Sequence, residues 1–248
     1  VYLHKILVGC ERVGLGGRLV ELGGECSGEE LGRAITELGS DPYVAGIIVQ
    51  QPLPADIPLR AVLDTLDPRK DIDGIHPLNA GLLALGYEGY LPATAHASVE
   101  LLKRSGTELA GRHAVVVGRS NVIGKPVAQL LLREHATVTT CHSRTPDLAG
   151  VIREAEVVVV AVGRARLVTG EMLKPGAVVV DVGINVTEDG LVGDVDFESA
   201  SEVASAITPV PGGVGPLTNA ILLTHLLRAA RDQADHAVAP GAPSVNAG

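Results

Sequence analysis

An α/β fold with a Rossmann-like, mostly parallel sheet is predicted by three features of the chain. The first is Val115 to Pro126, VVVGRSNVIGKP, where three β-branched residues run into Gly118 and a second glycine, Gly124, opens an apolar periodic segment. The second is the alternation that follows, with strand patterns at 113–117, 136–140, 157–162 and 177–182 and helix patterns at 125–134 and 147–153. Such alternation means βα units. The third is composition: 46% hydrophobic residues with only 2% aromatics and no tryptophan leaves a core of valine, leucine, isoleucine and alanine. Strands covered by helices on both faces read this way. The first segment carries elements of its own and predicts a smaller α/β domain joined to the sheet domain by long helices. The expected organisation is residues 1–105, completed by a C-terminal helix over 216–234, then 106–215, then a tail over 235–248.

Strand, glycine turn and helix start at 115–126 form a dinucleotide-binding unit. Such a helix start presents backbone N–H groups and the positive end of its dipole to a phosphate. Ser120 stands where the second glycine of G-x-G-x-x-G would be, so an ordinary strand–turn–helix shares the pattern. The next strand is followed by Cys141-His142-Ser143-Arg144-Thr145, with no acid before Asp147. A carboxylate there would accept from the ribose 2′-OH of NAD. Two hydroxyls and a guanidinium, with Arg119 nearby, suit a 2′-phosphate instead. NADP is the expected cofactor.

A net charge of −9 argues against a nucleic-acid surface. Cys10, Cys26 and Cys141 share no ligand spacing, so neither a disulfide framework nor a metal site is expected. No run is long and apolar enough to span a membrane, so no membrane partner is expected. A reducing, cytoplasmic setting follows as the default. The chain opens at Val1 without methionine, which predicts that an N-terminal piece is missing or removed.

Along the chain, a helix is predicted over Tyr2 to Val13 and a short strand over Leu19 to Leu22. Ser27 and Glu30 form a capping box for a helix over 28–38. Val44 to Gln50 reads as a buried strand ended by Gln51-Pro52, and helices are predicted near 58–66 and 98–105. The last helix is predicted over about 216–233, and the sequence from Ala237 on is of low complexity.

Four groupings can carry chemistry. Tyr2 and Lys5, three apart, share a helix face, where lysine can move protons if burial lowers its pKa; a solvated surface lysine looks the same. Gln50 and Gln51 follow an apolar strand at the end where open α/β sheets bind ligands, or are plain loop residues. Lys70-Asp71-Ile72-Asp73-Gly74 lacks the remaining ligands of a calcium loop, leaving an Asx turn or an aspartate that accepts from a polar heterocycle. Thr208 to Pro216, TPVPGGVGP, is stiff and free of bulky side chains, which suits either a flat ligand or a connector.

Seven ordered blocks match a known family: VQQPLP (49–54), KDIDGIHPLNAG (70–81), VVVGRSNVIGKP (115–126), TVTTCHSRT (137–145), DVGIN (181–185), VGDVDF (192–197) and ITPVPGGVGPLT (207–218). The chain resembles the bifunctional methylenetetrahydrofolate dehydrogenase/cyclohydrolases from Tyr2 to the last helix. The resemblance implies NADP-dependent oxidation of 5,10-methylenetetrahydrofolate, hydrolysis of the methenyl product to 10-formyltetrahydrofolate, a folate-binding role for the smaller domain, and a homodimer. It makes Tyr2 the residue that stacks on the folate, Lys5 the candidate catalytic lysine, Gln50 that lysine's partner and Asp73 the pterin acceptor. It puts Val49, Gln51, Pro211, Gly212, Gly213, Val214 and Gly215 on the folate. It assigns Gly118, Arg119, Ser120, Ser143, Arg144, Thr145 and Ile184 to NADP.

The departures lie on the folate side. The family pattern is Y-x-x-x-K, so Ile6 stands at the lysine's spacing and Lys5 one residue short of it. Gln51 replaces a usual leucine, and P-C-T-P-x-G reads Pro92-Ala93-Thr94-Ala95-His96-Ala97. The family's first strand and helix have no counterpart here. Three readings stay open: the bifunctional enzyme, a dehydrogenase with weak or lost cyclohydrolase, and a non-catalytic NADP-binding paralogue.

Overall fold

The computed structural model describes residues 2–188 and 190–238, apart from the side chains of residue 2 and of 236–238. Contacts divide the chain into two compact units. One comprises the residues up to His76 together with those from Leu222 on, and the other is Pro77–Ile221.

In the first unit, α1 (Tyr2–Arg12), α2 (Gly28–Ser40) and α3 (Leu59–Leu63) are amphipathic or short helices. Ile35, Ile47, Val49, Ile57, Val62, Leu63 and Leu66 form the core that α2 and α3 cover. The capping box is present as predicted: the Ser27 hydroxyl accepts from Glu30 N–H at 3.2 Å, and Glu30 Oε2 accepts from Ser27 N–H at 2.8 Å. Two strand expectations are corrected. Leu19 to Leu22 is an irregular, exposed segment that pairs with no strand among the described residues. Apolar residues alone cannot hold a strand whose backbone groups find no ladder. Val44 to Gln50 reduces to one parallel bridge, Ile47 with Asp71, although Ile47 and Val49 are buried as expected.

The second unit begins with α4 (Pro77–Leu85), which the sequence reading missed, and α5 (Ala93–Arg104), which starts five residues before the predicted 98. Residues 77–105, grouped with the first segment on sequence, pack here, with α4 and α5 both against α6 (Gly124–Arg133). The sheet is built by β1 (His113–Val117), β2 (Thr137–Cys141), β3 (Val157–Val160) and β4 (Val178–Asp181), with α7 (Leu148–Arg153) between β2 and β3. A 3-10 turn at Gly170–Met172 precedes β4, and a short hairpin, β5 (Asn185–Thr187) with β6 (Gly190–Val192), then α8 (Phe197–Ser201) and β7 (Ala206–Ile207) follow it before the last helix; all of these escaped the sequence reading because they are two to five residues long. All pairs in the sheet are parallel, in the order β2-β1-β3-β4-β7. β1 and β3 are buried at nearly every position, which is why they read as unbroken valine runs rather than alternating ones.

The last helix, α9 (Val214–Val238), is 25 residues long. It contains the predicted 216–233 and residues 235–238 of the predicted tail; residues 239–248 lie outside the described set. Its later turns pack in the first unit, where Leu226 approaches Gly46 and Leu223 approaches Gly9.

Candidate active site

In the second unit the sheet order reverses its direction of growth between β1 and β3, so the crevice for a ligand lies outside the carboxyl ends of those strands. Gly118 ends β1 there. Its φ is +130°, and a Cβ would run into the Ala161 carbonyl oxygen at the end of β3. A Cβ on Gly124 would collide with the Gly118 carbonyl. Both glycines are therefore required by close backbone approach, as the dinucleotide fingerprint demands.

One expectation at this turn is corrected. The Ser120 hydroxyl accepts from Ile123 N–H at 3.1 Å and Gly124 N–H at 3.3 Å, and the Ser120 carbonyl accepts from Lys125 N–H at 3.0 Å. Pro126 has no N–H, so with these bonds made the start of α6 offers no open row of donors. What faces outward is the exposed Ser120 with the exposed Arg119.

β2 is the neighbour of β1, and Gly118 N–H donates to Cys141 O at 2.9 Å, which brings the second turn beside the first. Ser143 and Arg144 are exposed. The turn is closed internally: Thr145 Oγ1 accepts from His142 N–H at 2.9 Å, and His142 Nδ1 accepts from Arg144 N–H at 3.1 Å. Accepting at Nδ1 leaves any imidazole proton on Nε2. Burial pushes the Cys141 thiol up, against a smaller lowering by the Thr145 bond, so this cysteine is inert packing. No carboxylate occupies the 142–146 turn, and Arg119 and Arg144 are exposed cations of the type that pairs with phosphate.

Ile184 follows β4 and is 67% exposed. The 208–213 loop follows β7; Gly212 has φ +109° and Gly213 N–H donates to Pro209 O at 2.9 Å, so the loop is a closed turn that starts α9. The loops bearing Gly118, Ser143, Ile184 and Gly212 thus all leave the carboxyl edge of the same parallel sheet.

The sequence reading missed the acids that hold this edge. Asp181 and Asp194 are buried. Asp181 accepts from Gly183, Asp194 and Val195 N–H, each at 2.9 Å. Burial, helped by the nearby Asp194 charge, raises the Asp181 pKa above its ordinary 3.8 in spite of these three donors. Thr208 Oγ1 accepts from Asp181 N–H at 2.8 Å, tying β4 to the start of the proline–glycine loop. An acid closing an all-valine strand, VVVD, was the available signal, since a carboxylate in such a run must find donors.

Of the residues that the resemblance assigns to folate, those before His76 lie in the first unit and the 211–215 loop in the second. Val49 and Asp73 each stand two residues beyond the Ile47–Asp71 bridge, in matching parallel positions. Val49 is buried, Gln50 exposed, and Gln50 Nε2 donates to the carbonyl of the half-buried Gln51 at 3.0 Å. Asp73 is half-buried on a loop set by its neighbours: fully buried Asp71 accepts from Ile75 N–H at 3.2 Å and His76 N–H at 2.8 Å, and buried Lys70 Nζ donates to Asp41 O at 2.7 Å. Tyr2 opens α1. Along that helix Leu3, Ile6, Leu7 and Cys10 form the inward stripe, while Lys5 is exposed.

Two family models match the chain: the catalytic domain of tetrahydrofolate dehydrogenase/cyclohydrolase over residues 1–73 and its NAD(P)-binding domain over 92–234. A bifunctional protein FolD of Herpetosiphon aurantiacus is 55% identical over 237 residues, which is 95% of this chain and 83% of that protein. The fold is similar to the crystal structure of the Campylobacter jejuni FolD dehydrogenase/cyclohydrolase, with a TM-score of 0.90 at 43% identity, covering 94% of this chain and 83% of that one. It is also similar to the Trypanosoma brucei dehydrogenase-cyclohydrolase complexed with NADP and inhibitor, with a TM-score of 0.89 at 40% identity, covering 94% and 82%. Matched in sequence and fold along nearly its whole length, the chain belongs to the tetrahydrofolate dehydrogenase/cyclohydrolase family.

Proposed function

We propose that this protein is an enzyme that oxidises 5,10-methylenetetrahydrofolate with NADP to the 5,10-methenyl form and hydrolyses that cation to 10-formyltetrahydrofolate. The observation that carries the reading is the Gly118 turn, whose packing on Ala161 excludes any side chain, set beside a β2 turn that bears Arg144 and no acid. Family membership, bifunctional relatives and a similar structure complexed with NADP support it. NADP supplies the hydride acceptor when bound. Gly118 admits its pyrophosphate, Ser120 and Thr145 hold the turns, and Arg119, Ser143 and Arg144 bind the 2′-phosphate. Ile184 lines the cofactor.

On the folate, Tyr2 stacks, Asp73 accepts from the pterin, Gln50 orients the lysine, and Val49 and Gln51 line the ring. Hydride transfer asks these groups for alignment. Hydrolysis adds water to the methenyl carbon, opens one C–N bond and releases a proton, and Lys5 is the group that moves protons. A homodimer in a reducing, cytoplasmic setting completes the reading, supported by the family and by three free cysteines. Sedimentation velocity at micromolar concentration checks the dimer; a monomer throughout removes it.

A second reading has its own observation: Ile6 holds the family's lysine spacing on the inward stripe of α1, and Lys5 is exposed. That arrangement favours a dehydrogenase with weak hydrolysis. An absorbance assay of methenyl product decides. Under the first reading Lys5→Met lowers cyclohydrolase turnover by about 10²–10⁴-fold and leaves dehydrogenase activity measurable. If the wild type accumulates methenyl product and Lys5→Met changes nothing, the second reading replaces the first. A gain of hydrolysis in Lys5→Leu, Ile6→Lys then shows that position 6 faces the reacting carbon.

A further inference from the structure

Asp194 lies in the second unit with no exposed surface, and four donors converge on its carboxylate. Oδ2 accepts from Val162 N–H at 2.6 Å and Gly163 N–H at 2.9 Å. Oδ1 accepts from Arg164 N–H at 2.8 Å and from Asn185 Nδ2 at 2.9 Å. Three successive N–H groups wrapped around one anion form a nest, made possible by Gly163 at φ +64°. Here the anion is part of the protein. Its own N–H donates to Asp181 Oδ1 at 2.9 Å, so the nest is anchored to the end of β4.

Two walls of the nucleotide crevice depend on this one carboxylate. The loop it holds begins at Ala161, whose carbonyl abuts Gly118. Asn185, which it also holds, follows Ile184, and a Cβ on Gly183 would strike the Asp194 carboxyl carbon. The β1 and β2 turns with Arg119, Ser143 and Arg144 make none of these four bonds. In a sheet ordered β2-β1-β3-β4, the pyrophosphate sits at the β1 turn and the adenosine ribose at β2. The remaining half of a dinucleotide then runs over the ends of β3 and β4.

We propose that Asp194 is a positioning residue for the nicotinamide half of NADP, acting as the internal anion that shapes the loops after β3 and β4. This rests on the reading of the second unit as an NADP site. Asp194→Asn keeps the shape but puts an amide N–H₂ where one oxygen accepted, so buried donors face each other and the loops must move.

Calorimetric titration of the whole chain with NADP and with 2′,5′-ADP, which carries only the adenosine half, tests the assignment. For Asp194→Asn the expected result is a loss of roughly 10–100-fold in NADP affinity with 2′,5′-ADP affinity unchanged. Unchanged NADP affinity, or equal losses for both ligands, overturns the proposal. If Asp194→Asn does not fold, Asn185→Ala removes one donor and carries the test: a several-fold loss confined to NADP supports it, and no difference between the ligands overturns it. A wild type that binds neither ligand removes the NADP reading and this inference together, a result distinct from failure in the variants alone.

Discussion

Arg119 and Arg144 show how far residue type goes at a site. Both are exposed, on turns that follow neighbouring strands. A guanidinium contributes most when it meets a partner of fixed geometry, and a phosphate on the ribose 2′ position is such a partner. Replacing both by alanine is expected to weaken NADP binding by about 1.5–3 kcal/mol per lost charge-assisted bond and to leave NAD binding nearly unchanged. Titration with both dinucleotides checks this, and equal losses would show that the arginines do not read the 2′-phosphate. The type of these residues was legible in the sequence, and so was the need for glycine at 118. That Ser120 would spend its hydroxyl on the start of α6 was not legible, because its partners are set by a turn conformation that the sequence admits but does not require.

At the scale of elements, local signals sufficed wherever the element makes its own hydrogen bonds. α2 is the clearest case, with reciprocal Ser27 and Glu30 bonds at its start. The same bonds hold the Glu30 carboxyl below its ordinary pKa. Ser27→Ala removes the hydroxyl that serves the Glu30 N–H and is expected to cost about 1 kcal/mol, read as a lower urea midpoint at unchanged slope. The Val44 to Gln50 segment is the opposite case. Its apolar pattern correctly places Ile47 and Val49 in the core, yet only Ile47 finds a strand partner, at Asp71. A strand exists only through its neighbour, so burial was foreseeable there and pairing was not. The β5–β6 hairpin and β7 were missed because two or three residues carry too little period to register.

At the scale of the whole molecule, α9 ties distant stretches of the chain together. Within the first unit, His225 Nδ1 donates to the Ile72 carbonyl at 2.8 Å across 153 residues of sequence, and Gln233 Nε2 donates to Ala45 O at 2.8 Å. His225 is buried and its bond holds the loop between Asp71 and Asp73. His225→Ala strands that carbonyl and is expected to cost about 1–3 kcal/mol. Hydrogen exchange should rise over residues 44–76 and remain as in the wild type over β1 and β3; a uniform rise along the chain would refute a local role. The sequence by itself determined the parallel sheet, its valine core, the glycine turn and the family, because these rest on periodicity, on backbone space and on ordered motifs. Only the tertiary structure decided that residues 77–105 pack with the sheet and that Lys5 is exposed while Ile6 turns inward. It also decided that Asp181 and Asp194 hold the loops at the sheet edge. Those outcomes depend on which hydrogen-bonding partners a folded chain brings together across 13, 30 or 153 residues, and no local pattern encodes that distance.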